Sequence, residues 1–453
     1  MARAKKEAAL TPEERLQAAL VPDWEWPYKL PKNWCWTTVG AINQYVGISA
    51  DPTKAKNETF ELYSVPSSAD TYPEIVLGAD IGSTKQSVKK GDVLLCKINP
   101  RINRVWKVSK YTDHSLLASS EWIVIRNSGL ISNYLMWCFR SPYFRGYMLS
   151  NVSGVGGSLM RAQPKFVQGY PVPVPPLAEQ QRIVDRIESL FAKLDEAKEK
   201  AQAVVDSFET HKAAILHKAF TGELTAKWRE EHGVRMESWE VRTLDSVCSS
   251  IFDGDHMPPP KAESGIPFLV ISNVNTGHLT FENTRFVPQE YYDTLSDTRK
   301  PQLGDVLYTL VGSFGIPVVV NSKRPFCFQR HMALLRPIDV SPQFLWYILQ
   351  TPEMYDKASS IATGTAQLTV PIKGLRAMTI PRPNIAEQVE IVRILDGFFA
   401  REQSAKEAAE AVLDQIDLMK KSILARAFRG ELGTNDPSEE SAVELLKEII
   451  RRG

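Results

Sequence analysis

The second half of this chain repeats its first, and that repetition limits the folds open to it more than any other feature. Residues 218–224 read Lys-Ala-Phe-Thr-Gly-Glu-Leu and residues 426–432 read Arg-Ala-Phe-Arg-Gly-Glu-Leu, an offset of 208. Ala178-Glu179-Gln180 returns at the same offset as Ala386-Glu387-Gln388. Gly91-Asp92-Val93-Leu94 returns as Gly304-Asp305-Val306-Leu307. Asn133-Tyr134-Leu135 before Ser141-Pro142 returns as Gln343-Phe344-Leu345 before Thr351-Pro352, and Trp34 and Trp239 each open a half. The offset drifts between 205 and 213, as loop insertions would cause. At 453 residues the chain is too long for one core. The repeat therefore reads as two supersecondary units in tandem.

The helical part of each repeat is the most legible. Ile183, Ile187, Leu190, Leu194, Ala197, Ala201, Val204, Phe208, His211 and Ile215 step by four and three, the a/d pattern of a coiled coil. The second copy is Ile391, Leu395, Phe398, Glu402, Ala405, Ala409, Val412, Ile416, Met419 and Ile423, each 208 later, with Glu402 a polar departure. Both helices follow proline clusters (Pro173, Pro175, Pro176; Pro381, Pro383). Asn384 with Glu387 reads as a capping box, and Gly222 and Gly430 stand where a C′ glycine ends a helix. About 40 residues make a helix about 60 Å long. Such a stripe needs a partner, and each copy is the natural partner of the other. A module between them brings the chain back, so the pair is expected to be antiparallel. Thr11-Pro12-Glu13-Glu14 and Asp436-Pro437-Ser438-Glu439 read as the starts of two shorter helices.

The modules read as mixed α/β. Short strand-like runs at 92–97, 122–126, 266–271, 305–311 and 317–320 lie between Gly, Pro, Asn and Ser clusters, with one helix per module near 131–140 and 341–350. The expected fold class is α+β: two α/β modules separated by two long antiparallel coiled-coil helices, with a pseudo-two-fold internal repeat. The expected segments are a helical start (1–29), module 1 (30–175), spacer helix 1 (176–224), module 2 (236–383), spacer helix 2 (384–432) and a helical tail (433–453).

Net charge is +1, so affinity for nucleic acid rests on local clustering rather than on the sum. No acid falls between Lys97 and Lys110, a stretch holding Arg101, Asn103, Arg104 and Lys107. None falls between 310 and 336, which holds Ser313, Lys323, Arg324, Gln329, Arg330 and His331. Lys and Arg suit phosphate oxygens, while Asn, Gln and Arg suit base edges. A second pair of loops, Gly154 to Lys165 and Gly364 to Lys373, offers small residues, a glutamine and a lysine that let backbone N–H groups approach a phosphate. Candidate DNA contacts are Lys97, Arg101, Asn103, Arg104, Ser158, Arg161 and Lys165 in module 1, and Ser313, Arg330, His331, Gln367 and Lys373 in module 2. The competing reading of such stretches is a solvated basic loop.

Chemistry finds no support. There is no P-loop and no strand–GxGxxG–helix unit. Ser141-Pro142-Tyr143-Phe144 distantly echoes an amino-methyltransferase tetrapeptide but lacks its acidic partner loop and second proline. Asp253-Gly254-Asp255-His256 has no third metal ligand placed beside it and reads as a turn. Five scattered cysteines without a CxxC pair suggest reduced thiols. The basic start is followed by no apolar segment and no run reaches a membrane span, so a cytoplasmic protein without a membrane partner is expected.

Two unlike modules, each followed by a proline-marked helix start and a helix ending in Lys/Arg-Ala-Phe-x-Gly-Glu-Leu, resemble the specificity subunit of type I restriction-modification enzymes. The resemblance covers roughly 30–432, and its motifs at 175–184, 218–224, 381–392 and 426–432 are quite specific. Thr221-Gly222-Glu223-Leu224 has the family's typical form, and the second copy departs from it with Arg429. The resemblance implies that each module reads one half of a split double-stranded DNA target while the helices set the gap. It implies docking of two modification (methyltransferase) subunits that hold S-adenosylmethionine, joined by restriction (motor-nuclease) subunits using ATP and magnesium. This chain would then be non-catalytic and without a cofactor or metal of its own. Two rivals are a self-contained methyltransferase/nuclease recognition protein, which the missing cofactor motif disfavours, and a coiled-coil adaptor for proteins alone. The divergence of 97–110 from 310–336 predicts unlike half-sites.

Overall fold

The structure, a computed structural model, describes residues 11–154, 160–256 and 259–452. It divides into two compact units, Met1–Lys200 with Ala411–Gly453, and Ala201–Glu410. The two long helices are Leu177–Phe220 and Ile385–Ala427. Each unit thus holds one module with part of both helices. Among the described residues no helix is long and apolar enough to cross a membrane.

The helices pair antiparallel within each unit. In the first unit Ile183, Val184 and Ile187 share a core with Leu424, Ala427 and Phe428. Further along, Lys420 lies over the Phe191 ring and ion-pairs with Asp195. In the second unit Lys406 lies over Phe208, His211 meets Glu402 at 3.2 Å, and Leu216 and Ala219 share a core with Ile391 and Leu395. Glu402 is therefore accounted for: it faces an imidazole across the pair.

The strict heptad needs correction. Val204, Val412 and Met419 are 42%, 41% and 48% exposed, so these stripe positions face outward. The inward positions run 201, 205, 208, 212, 216, 219 and, 208 residues on, 409, 413, 416, 420, 424, 427. Both copies step by 4, 3, 4, 4, 3. The extra step of four is a stutter that locally unwinds the supercoil. It turns Leu216 and Leu424, rather than their β-branched neighbours, fully into the module cores.

The repeated motifs are structural clamps. Gln180 donates from Nε2 to the Pro175 carbonyl (3.0 Å) and accepts from Ile131 N–H (3.0 Å). Gln388 does the same with Pro383 (2.9 Å) and Ser341 (2.9 Å). Each glutamine ties the start of a long helix to the start of a module helix. Glu179 and Glu387 are fully buried. Glu179 accepts from Thr434 (2.7 Å) and Arg182 (2.8 Å), and Arg182 reaches on to Glu439 (2.8 Å). Glu387 accepts from Thr225 (2.7 Å), Arg229 (2.6 Å) and the Trp239 indole (2.8 Å). The capping box at Asn384 is thus half formed. Asn384 caps Glu387 N–H at 2.9 Å, but the Glu387 carboxylate serves the segment beyond the other helix instead of reaching back. Gly222 (φ 84°) and Gly430 (φ 74°) end the helices in the left-handed region.

Gly-Asp-Val-Leu is a turn and an ion pair. Gly91 and Gly304 have φ of 94° and 91°. The buried Asp92 and Asp305 then pair with Arg126 (2.6 Å) and Arg336 (2.9 Å) on the neighbouring strand. In the first unit Val93–Cys96 lies between Val105–Lys107 and Trp122–Ile125, all antiparallel. A separate five-stranded sheet draws strands from both before and after it in the chain, with Thr59–Tyr63 parallel to Ser115–Ala118. In the second unit Val306–Thr309 lies between Met332–Pro337 and Pro317–Val319, with Cys248–Asp253 at the edge. Cys35–Thr38 pairs with Pro171–Val174, and Glu240–Thr243 with Thr379–Arg382, to close each module.

Two further expectations change. Each module carries two consecutive helices rather than one: Ser132–Arg140 then Pro142–Ser150, and Pro342–Ile348 then Pro352–Ile361. Ser141 and Thr351 cap the second of each pair, accepting from Phe144 (3.2 Å) and Met354 (3.3 Å), so Ser141-Pro142-Tyr143-Phe144 is a helix start. Thr11 and Glu14 do form a capping box. Asp436 instead forms a turn with Ser438, Glu439 is occupied by Arg182, and the last helix begins at Ala442. That helix buries Ala442, Leu446 and Ile449 in the first unit's core, together with Leu16 of the helix Pro12–Ala19.

Candidate nucleic-acid interface

One end of each module is built from three chain segments on a shared backbone pattern. In the first unit Lys97 N–H donates to the Glu121 carbonyl (3.0 Å), and Ala162 N–H donates to the Lys97 carbonyl (2.8 Å). In the second, Leu310 N–H donates to His331 (2.8 Å) and Val370 N–H to Leu310 (2.8 Å). A short hairpin supplies the third segment in both, through Val152–Ser153 with Arg161–Ala162 and through the Thr363–Thr369 bridge. The backbone ladder is repeated, and the side chains it carries are not.

In the first unit Arg161 pairs with Glu121 at 3.3 Å on an exposed face. Lys97 is half-buried beside them. Arg101 is exposed in the turn Pro100–Ile102, and its carbonyl is held by Arg145. Asn103 is left-handed (φ 48°) and its amide donates to the Arg140 carbonyl (2.9 Å), so it shapes the turn. Arg104 is half-buried beside Cys96. Lys165 is exposed, its ammonium over the Phe166 ring (4.8 Å). Ser158 lies outside the described residues, as do Gly156 and Gly157 of the same loop.

The second unit joins two of its polar side chains directly. Gln329 Nε2 donates to His331 Nδ1 (2.9 Å), which fixes the neutral imidazole as acceptor on that nitrogen. Burial, and then the neighbouring Arg330 guanidinium, hold His331 below the usual histidine range. Arg330 is exposed and has no side-chain hydrogen bond or ion pair among the described residues. Gly312 N–H donates to the Leu368 carbonyl (3.0 Å), and a Cβ on Gly312 would lie 2.9 Å from the Gln367 amide nitrogen. Ser313, exposed next to it, has its carbonyl bound by Thr309 (2.8 Å). Lys373 is exposed in the first turn of Ile372–Ala377 and has no side-chain hydrogen bond or ion pair to these among the described residues. The Asp253-Gly254-Asp255-His256 loop is tied by ion pairs of Asp253 with His256 (2.9 Å) and Arg299 (3.8 Å), and by Tyr291 donating to Asp255 (3.0 Å). Gly254 presses against the chain at Phe328 to Arg330 and supports the segment carrying Gln329.

Two residues escaped the sequence reading. Glu121 leaves no mark in an acid-free stretch, and Gln329 is one polar residue among several in its own.

Residues 236–413 match the family model described as the type I restriction modification DNA specificity domain. The chain is 27% identical over 349 residues to the EcoKI specificity subunit of Escherichia coli (strain K12), covering 72% of this chain and 73% of that one. It is 26% identical over 331 residues to the EcoBI specificity subunit of Escherichia coli, covering 68% and 69%. In fold it is similar to a solved chain from a type I R-M system (TM-score 0.72, 24% identity) and to the HsdS subunit from Thermoanaerobacter tengcongensis (TM-score 0.64, 24% identity), each covering 90% of this chain and 100% of that one. With the duplicated modules, the paired helices and the motif clamps between them, the chain is similar over about seven-tenths of its length to the specificity subunits of type I restriction-modification enzymes, and its residues 236–413 match their DNA specificity domain.

Proposed function

We propose that this chain reads a split DNA target, one half-site per module, for a type I restriction-modification complex and carries no catalytic residue itself. The observation that carries this is the repeated three-segment end, whose backbone ladder is common to both modules while its side chains differ. A shared scaffold suits a shared partner, duplex DNA, and unlike side chains suit unlike sequences. Glu121 with Arg161 offers an acceptor for a cytosine amino group and a donor set for guanine. Gln329, Arg330 and Gln367 offer pairs suited to adenine or guanine. The target is therefore asymmetric, with a gap held constant by the helices. Methyltransferase subunits, bringing S-adenosylmethionine, and restriction subunits, bringing ATP and magnesium, are the partners this reading requires.

The test is sequencing of adenine methylation in cells expressing this chain with its methyltransferase subunit. A split, asymmetric motif of fixed gap is expected. A palindromic motif would overturn the asymmetry, and methylation by the purified chain alone would overturn the non-catalytic role.

A further inference from the structure

The repeat supplies an internal control for one lysine site, which an aspartate neutralises in the first unit and a glutamine faces in the second. Where the long helices meet the module, each unit places a phenylalanine under a module aromatic: Phe191 with Trp137 (5.1 Å) and Phe399 with Tyr347 (5.6 Å). Each aromatic also donates to a helix carboxylate, Trp137 to Glu188 (3.3 Å) and Tyr347 to Asp396 (2.6 Å). In the first unit a lysine completes the site. Lys420 lies over Phe191 and is neutralised by Asp195. The residues 208 positions away are Lys212 and Gln403. Replacing the aspartate by glutamine leaves half-buried Lys212 without a counter-ion among the described residues. Here the second unit has an open cleft of about 660 Å³, lined by Lys212, Gln403 and the rings of Phe208, Trp346, Tyr347 and Phe399. No aspartate or glutamate lines it.

We propose that this cleft is a docking site for a segment of a partner protein subunit that presents a carboxylate beside a bulky apolar side chain, and that the corresponding place in the first unit, where Asp195 neutralises Lys420, lacks its charge. Charge sets the carboxylate: an uncompensated ammonium in an acid-free cleft attracts one anion. The walls set its neighbour, since aromatic rings around a recess are the usual seat of an interface anchor residue. A duplex backbone is a poorer fit. It is contacted by rows of donors along its phosphates, not by one ammonium between rings. The proposal rests on the reading of this chain as an assembly subunit, and it makes the two partner positions of a duplicated subunit unequal.

The test titrates the cognate methyltransferase subunit onto the full chain and counts bound copies by native mass spectrometry at several salt concentrations. Two variants are used. Gln403→Asp installs the ion pair that Asp195 and Lys420 already form, so it neutralises Lys212 without a foreign geometry. Lys212→Met removes the charge and keeps the apolar stem. Each should weaken one binding step by about tenfold or more and leave the other unchanged, with an unaltered melting temperature. Two unchanged steps in both variants would overturn the proposal. So would unchanged partner binding with weakened, less salt-dependent DNA binding by the complex, which would assign the cleft to phosphate. A wild-type chain that binds no copy would sink the assembly reading itself, a result distinct from either.

Discussion

Arg229→Met tests whether the glutamate of the Ala-Glu-Gln motif is a structural clamp. Glu387 is fully buried and the Arg229 side chain is 10% exposed, with 2.6 Å between them. Methionine keeps the packing of the stem but leaves a buried carboxylate with only Thr225 and Trp239 as donors. Removing one partner of a buried pair costs about 3–5 kcal/mol. For a unit of this size each kcal/mol moves the melting temperature by about 2–4 °C. The transition of the second unit should therefore fall by roughly 6–20 °C. Arg182 does the same work for Glu179, but its side chain is 38% exposed, so solvent screening reduces its share to about 1 kcal/mol or less. Arg182→Met should move the first unit by no more than about 4 °C. Calorimetry on the full chain measures both. The double variant Arg229→Met with Glu387→Gln should recover much of the loss, because a neutral amide tolerates burial better than a lone carboxylate. Equal shifts from the two arginine variants, or a shift under about 2 °C from Arg229→Met, would refute the reasoning.

Other outcomes follow from the interface. Arg330→Ala should damage recognition of one half-site only, seen as lost discrimination in methylation of substrates altered in that half. Gly254→Ala would place a Cβ 2.2 Å from the Phe328 carbonyl oxygen and 2.7 Å from Arg330 N. The segment carrying Gln329 and His331 must then shift, at about 1–3 kcal/mol, and methylation should lose the same half-site while the other is still read. His331 has a folded pKa below its unfolded value near 6.5, so the unfolded chain takes the proton first. Its contribution to stability is complete above about pH 6.5 and is lost as pH falls through the depressed folded value. Protonation also turns Nδ1 into a donor and breaks the bond from Gln329. Half-site discrimination by the second module should therefore degrade on acidification, and His331→Gln should remove that pH dependence.

The fold was legible where periodicity and repetition coincide. The helix pair, its direction and the duplicated modules all follow from residues repeated 208 positions apart. The stutter was hidden because Val204 and Val412 are as apolar as the Val205 and Leu413 that take their inward places. Only packing chooses between them. The second module helices are announced by Ser141-Pro142 and Thr351-Pro352, a cap followed by proline, but the apolar run before each already accounts for one helix and masks the signal. Glu179 and Glu387 looked like helix-start residues and turned out to hold distant segments, which no local rule reveals. At the candidate interface, charge composition points to loops that the fold brings to the three-segment end of each module. It missed Glu121 because the partner that makes it informative, Arg161, lies 40 residues on. Asn103, chosen for its amide, spends that amide on Arg140.

The two units differ in how they are assembled from the chain, and this bears on synthesis. The second unit is one continuous stretch, whereas the first needs both ends. Tyr28 bonds to the Phe428 carbonyl (3.0 Å), Trp34 to Asn435 (3.1 Å), and Ala442 N–H to Asn33 (2.9 Å). On a ribosome adding about 5–20 residues per second, the module made first must wait on the order of 10 to 50 s for its closing segments. The later module can be complete before the earlier one. During that interval the surfaces destined to meet Phe428, Leu446 and Ile449 stand open, so the amino-terminal module is the part of the nascent chain most dependent on chaperones.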